Sequence, residues 1–408
     1  MKVLGIIAEY NPFHNGHLYH LNESKRLTGA THAIAVMSGN FVQRGEPAIA
    51  DKWTRAAMAI ENGVDLVLEM PFVFASSSAE YFGEAGISLL DSLGVVDYVS
   101  YGSETGSDVQ IEKVADFLAK ENDDFKHLLK ESLSEGKSFP LAREEAITLL
   151  RPELKGILHH SNNILAVEYR KAAKKIGSQI DFVSVKRSGS SYNEPHLNEK
   201  SFSSATSIRK KLHEEGNVNL ISQLPTKSIE LLNDFKSINK SYPRKEDLFA
   251  YLQYKIKMSE NKELREVEGM REGLENVLKA AIYSSHDYGS FIEKVESKRY
   301  PRSSIQRLFL HLLLNFKKME LKEFRNCSNY YGRVLGFNEN GRELLKTVKK
   351  ISETKIITNI NRQFPKDELL TRMLSYDIKA TDFYMLLLCL NGCKNSESQD
   401  KIRMPYIG

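Results

Sequence analysis

"VLGIIAEYNPFHNGHLYHL", residues 3–21, sets a short apolar run directly against two histidines three positions apart. Residues 3–8 have the length and bounding turn residues of a buried strand. Asn11 and Pro12 end it, because proline cannot donate to a ladder and asparagine favours turns. From Gly16 onward the pattern is helical. His14 and His17 therefore stand where a first strand hands over to a first helix. The first N–H groups of a helix lack intrahelical partners and carry positive partial charge, so this corner is expected to bind an anion.

Working outward, the same strand-then-helix rhythm repeats. Apolar strands are expected at "HAIAVMS" (32–38), "VDLVLEM" (64–70), "VVDYVSYG" (95–102) and "IDFVSVKR" (180–187), with helices between them. Continuous apolar strands alternating with helices imply a doubly wound, five-stranded parallel sheet covered on both faces. Ligands of such sheets gather at the carboxyl ends of the strands. Beyond about residue 220 the period becomes helical throughout, as in "DLFAYLQYKIKM" and "SSIQRLFLHLLLNF". The expected division is an α/β domain over 1–216 and an all-α domain over 217–408, with a small terminal piece after about 328.

No apolar run reaches transmembrane length, and the first residues do not read as a signal peptide, so no membrane partner is expected. Three cysteines, Cys327, Cys389 and Cys393, give no disulfide framework and no zinc-ligand spacing. A reducing, cytoplasmic setting follows. A net charge of +4 permits nucleic acid as a partner without requiring it.

A second phosphate cradle is expected at "SSATSIRKKLHEEG" (203–216). Ser204 and Thr206 offer hydroxyls at a helix start, and Arg209 offers a bidentate fork. Between the two cradles, "SGNFVQRGEPAIADKWTR" (38–55) begins at the carboxyl end of the second strand. It carries Arg44, Lys52 and Arg55, cations at a place where ligands gather. Lys52 is assigned to the chemistry, and Arg44 and Arg55 to RNA. Further contacts are expected at strand or helix ends: Gly102, Asn163 (with Asn162 nearly as good a choice) and Arg187. In "KVESKRYPRSSIQRL" (294–308), Lys298, Arg299 and Arg302 surround Tyr300, a combination suited to phosphates and an unpaired base.

Strand, H-x-G-H, helix and a later S-S-x-T-x-I-R resemble the nucleotidyltransferase superfamily shared with class I aminoacyl-tRNA synthetases. The blocks "EYNPFHNGHLYHL", "MSGNFVQRGEPAIADKWTRAAMA", "YGSE", "NNILAVEY" and "KRSGSSYN" together resemble the tRNA(Met) cytidine acetate ligase family. The resemblance implies a nucleotidyltransferase-like Rossmann domain that activates acetate with ATP as acetyl-adenylate. It implies transfer of the acetyl group to N4 of the wobble cytidine in elongator tRNA(Met). It also implies ATP contacts along Ile7, Ala8, Glu9, Tyr10, Asn11, Pro12, Phe13, His14, Asn15, Gly16, His17, Leu18, Tyr19 and His20. Gly102, Asn163 and Arg187 match further contacts. His14 and His17 would stabilise charge at phosphorus, and magnesium would accompany the triphosphate. Two other readings stay open: a small-molecule adenylyltransferase, and a nucleotide-gated tRNA-binding protein without catalysis.

Overall fold

The computed structural model describes residues 1–104, 106, 108–186, 203–214, 222–327, 330–395 and 397–408. Five strands run parallel in the order β5–β4–β1–β2–β3: β1 is Val3–Ala8, β2 His32–Ser38, β3 Leu66–Met70, β4 Tyr98–Ser103 and β5 Asp181–Lys186. β2 and β3 are buried almost throughout, as continuous apolar strands between two helical layers must be. The strand order reverses between β1 and β4. Their carboxyl ends therefore flank the crevice where such sheets take ligands.

The expected five strands fall short. Three more join the sheet among the described residues: β6 (Tyr331–Phe337), β7 (Lys355–Ile357) and β8 (Tyr406–Ile407). β6 pairs antiparallel with β3, and β7 and β8 share its outer edge. The expected all-α region after 217 is thus helical from Thr226 to Arg325, and strands return at Tyr331. The reason is β3, which without β6 would expose a buried-type edge. One apolar core runs from the sheet into the helices, from Val3 to Cys393.

The C-terminal part also braces the crevice. In the Glu368–Leu390 helix, Asp377 accepts the Phe72 N–H at 2.7 Å, and the Tyr384 hydroxyl donates to the Ala48 carbonyl at 2.9 Å. The loop between β2 and the Lys52–Glu61 helix is therefore held by a segment more than three hundred residues away.

Candidate functional site: the histidine corner and the cleft beside it

The corner forms as the sequence indicates, but its amides are already engaged. β1 ends at Ala8, Tyr10 takes a left-handed backbone (φ +45°), and the Asn11–Pro12 bond is cis. His14 is the N-cap of the Asn15–Thr28 helix. Its Nδ1 accepts the Gly16 N–H at 3.0 Å, while His17 Nδ1 accepts the His14 N–H at 3.3 Å. Asn15 N–H donates to the Gln223 carbonyl, and His17 N–H to the His14 carbonyl. The expected open amide cradle is therefore closed by bonds within the corner and by one from Gln223. What the corner presents is imidazole. An Nδ1 that accepts a hydrogen bond in a neutral ring leaves the hydrogen on Nε2, so both rings carry their donor there. The rings stack with centroids 3.8 Å apart and an interplanar angle of 21°. Tyr10 and Phe13 pack against His17 at 5.0 and 5.6 Å. Two parallel donors held by reciprocal caps suit a phosphate on which negative charge grows.

Other residues of the 7–20 stretch divide by role. Ile7 packs beneath the Ala79–Ser92 helix, where a side chain at Gly86 would collide with it. Ala8 is half-buried at the end of β1, and Leu18 packs against the core. Tyr19 is exposed. His20 Nε2 meets the Ser100 hydroxyl at 3.0 Å, tying the helix to β4. Glu9 accepts the Gln43 N–H at 3.0 Å. Burial holds its carboxyl above the usual range, against the opposing pull of Arg209 and Arg44.

The second motif reaches the first. Ser204 Oγ caps its own helix by accepting the Ser207 N–H at 3.2 Å, and Ser204 is buried. Arg209, on the Ala205–Glu214 helix, donates to the Asn11 carbonyl at 3.0 Å and to Thr206 Oγ1 at 3.4 Å. Gln223 joins the same assembly: its carbonyl takes the Asn15 N–H, and its side-chain oxygen takes the Ser203 N–H. Sequence reasoning missed Gln223 because a neutral amide in an unpatterned stretch carries no signal.

At the β4 end, Gly102 is half-buried opposite Val185. Asn163 is wholly buried. Its Oδ1 accepts from Ser103 Oγ at 3.0 Å and from the Glu104 N–H at 3.3 Å, and its Nδ2 donates to the Ile157 carbonyl. Asn163 thus fixes the strand end from behind. Asn162, the less buried of the pair, is half-buried, and its side-chain amide donates to the Glu104 carboxylate. Arg187 lies outside the described residues.

Two assignments in the 38–55 block do not survive. Arg55 is fully buried, and its guanidinium donates to the carbonyls of Ala50, Glu9, Ser38 and Gly39. It staples the ends of β1 and β2 to their loop and offers nothing to RNA; burial pushes it down to about 10. Lys52 is fully buried too, 2.7 Å from Glu69 and 2.9 Å from Asp400. It closes an internal ion network with Arg333, which contacts both acids. A sequence displays charge but not burial, and these two residues look like surface cations until the loop is folded over them.

Beside the corner opens a cleft of about 1290 Å³. Its walls bring together Arg44, Thr206 and Arg209 from the first half with Arg299, Tyr300 and Arg302 from the second. Arg302 is partly spent on a two-pronged bond to Glu296, at 2.7 and 2.8 Å, whereas Lys298 and Arg299 are exposed.

Comparison with known proteins follows this geometry. The model of the HIGH Nucleotidyl Transferase family matches residues 1–400. The tRNA(Met) cytidine acetate ligase of Thermoanaerobacter sp. (strain X514) is 44% identical over 388 residues, 95% of each chain. That of Clostridium novyi (strain NT) is 39% identical over 391 residues, 95% of this chain and 96% of the other. Crystal structures of Thermotoga maritima TmcAL superpose over 100% of this chain and 99% of theirs at 35% identity. The TM-score is 0.94 for the apo form and 0.92 for the form bound with alpha-thio ATP. With matches of this length joined to a histidine corner and an arginine that links its two motifs, the chain belongs to the HIGH nucleotidyl transferases and, among them, to the tRNA(Met) cytidine acetate ligase family.

Proposed function

We propose that the protein activates acetate with ATP as acetyl-adenylate and transfers the acetyl group to N4 of the wobble cytidine of elongator tRNA(Met). One observation carries this reading: Arg209 bonds to the backbone of the histidine corner and also lines the cleft that the basic helical segment shares. A triphosphate at the corner would thus lie next to a groove of RNA-binding character. A carboxylate oxygen of acetate attacks the α-phosphorus and pyrophosphate leaves. The Nε2–H groups of His14 and His17 donate to the oxygens gaining charge. The cytidine amine then attacks the acetyl carbonyl, AMP departs, and the amine loses a proton. Residues 1–216 carry activation and residues 217–408 largely hold the tRNA.

Among the described residues no group of three or more His, Cys, Asp or Glu could hold a metal ion. Magnesium in this reading arrives as a chelate of the triphosphate, where it supplies charge neutralisation. No helix among the described residues is long and apolar enough to cross a membrane.

The test is incubation with ATP, acetate and elongator tRNA(Met), followed by mass spectrometry of the nucleosides. N4-acetylcytidine with stoichiometric AMP and pyrophosphate is expected. Turnover of ATP without RNA modification would favour a small-molecule adenylyltransferase, and tRNA binding without pyrophosphate would favour a non-catalytic binder. Within this reading, Arg209→Ala should cost activation about 10–100-fold, the worth of a charge-assisted hydrogen bond. Acetate-dependent exchange of labelled pyrophosphate into ATP measures it, and exchange at the parent rate would remove Arg209 from the ATP site.

A further inference from the structure

Arg244, Arg271 and Arg299 line the cleft without an ion pair among the described residues, but they are exposed, whereas Arg307 is half-buried. It sits on the Arg302–Leu314 helix and lines the cleft with Arg44 and Arg209. Its described bonds run only to neutral groups: the Gln43 carbonyl at 3.4 Å and Ser304 Oγ at 3.2 Å. It makes no ion pair among the described residues, although Arg302, Arg209 and Lys245 nearby each have a carboxylate within 4 Å. Glu46, the acid on the facing loop, is occupied by Arg209, Lys245 and Gln306. Burial alone pushes the Arg307 guanidinium down to about 10, with no acid pulling it back. His311, one turn further along, is pushed down to about 4, first by burial and then by the charge of Arg307, against its backbone contacts with Glu268 and Ser76. Among the described residues no carboxylate lies within ion-pair distance of Arg307.

The position is also fixed. Gly45 has φ +79°, and a Cβ there would lie 2.4 Å from the Gln306 carbonyl carbon and 2.5 Å from the Arg307 nitrogen. The 43–46 loop therefore rests on the helix backbone at Arg307 itself, and only glycine allows it. An enclosed cation without a counter-charge costs stability, and a ligand that brings the charge repays it.

We propose that Arg307 is a phosphate-binding residue for the substrate RNA, its guanidinium taking a backbone phosphodiester of tRNA lying in the cleft. This rests on the reading that the cleft holds tRNA. Phosphate is also what ATP offers, and the test separates the two sources.

The full-length Arg307→Gln protein is compared with the parent in three measurements: tRNA binding across a salt series, acetate-dependent pyrophosphate exchange, and thermal midpoint. Binding should weaken about ten-fold, with the log–log salt slope reduced by roughly 0.7–0.9, the signature of one lost phosphate contact. Exchange should stay within about two-fold of the parent and the midpoint should not fall, because an unbalanced charge has been removed. Arg307→Lys, which keeps the charge, should restore the slope. A ten-fold loss of exchange with an unchanged slope would give the site to the triphosphate and overturn the proposal. A lowered midpoint in both variants, with binding and exchange falling together, would make Arg307 structural. An unchanged slope in a parent-like protein would make it a bystander. A parent that binds no tRNA would instead remove the functional reading beneath the proposal.

Discussion

His14→Ala or His17→Ala lowers acetate-dependent exchange of pyrophosphate into ATP by about 10²–10³-fold, the usual loss when one preorganised donor is taken from a transition state. The expectation follows from the tautomers. Each Nδ1 is committed to a backbone N–H, so a neutral ring keeps its hydrogen on Nε2, and the two rings stack 3.8 Å apart. The caps complicate a simple alanine change, since losing a cap costs about 1 kcal/mol by itself. His14→Asn separates the two effects. Asparagine is a good N-cap and can accept the Gly16 N–H, but it has no donor at the place of Nε2. It should keep the thermal midpoint of the parent and still lose exchange by about 10²-fold. Parent-like exchange in His14→Asn and in His17→Ala would reduce the corner to a helix cap, and the functional reading would lose its chemistry.

What could be read in advance follows from what each signal encodes. The β1–HNGH–helix corner was legible because strand length, turn residues and helical period all point to the same place. The C-terminal strands were not. "YGRVLGF" is interrupted by Gly332 and Gly336 and pairs antiparallel with a strand 260 or more residues earlier, a partner no local pattern encodes. The two motifs were legible as separate cradles, but their junction through Arg209 to the Asn11 carbonyl was not, because a backbone acceptor is the same at every position. Lys52, Arg55 and Asn163 were read as ligand-facing from type and place. Folding turns all three inward, and their polar groups are used up in holding strand ends. Arg307 shows the converse. In the sequence it is one more cation of the 294–308 stretch, and only the folded cleft shows it half-buried with no ion pair among the described residues.

Lys52 yields the largest expected effect on stability. Its ammonium touches Glu69 and Asp400, and Arg333 touches the same two acids, so two cations and two anions from distant segments balance inside the protein. Lys52→Met keeps most of the side chain's apolar length without its ammonium and leaves two buried carboxylates facing one guanidinium. Removing one partner of a buried pair costs about 3–5 kcal/mol, chiefly through the charge left uncompensated. Denaturant unfolding should show a loss of that order, with the C-terminal turn carrying Asp400 loosened first. Lys52→Met combined with Asp400→Asn restores one cation to one anion and should recover much of the loss, a non-additivity that a surface lysine would not produce. Exchange of pyrophosphate should fall only as the folded fraction falls, because Lys52 is wholly buried and paired with Glu69 and Asp400. A Lys52→Met protein as stable as the parent but unable to activate acetate would restore the lysine to the chemistry, and would require the loop over it to open during the reaction.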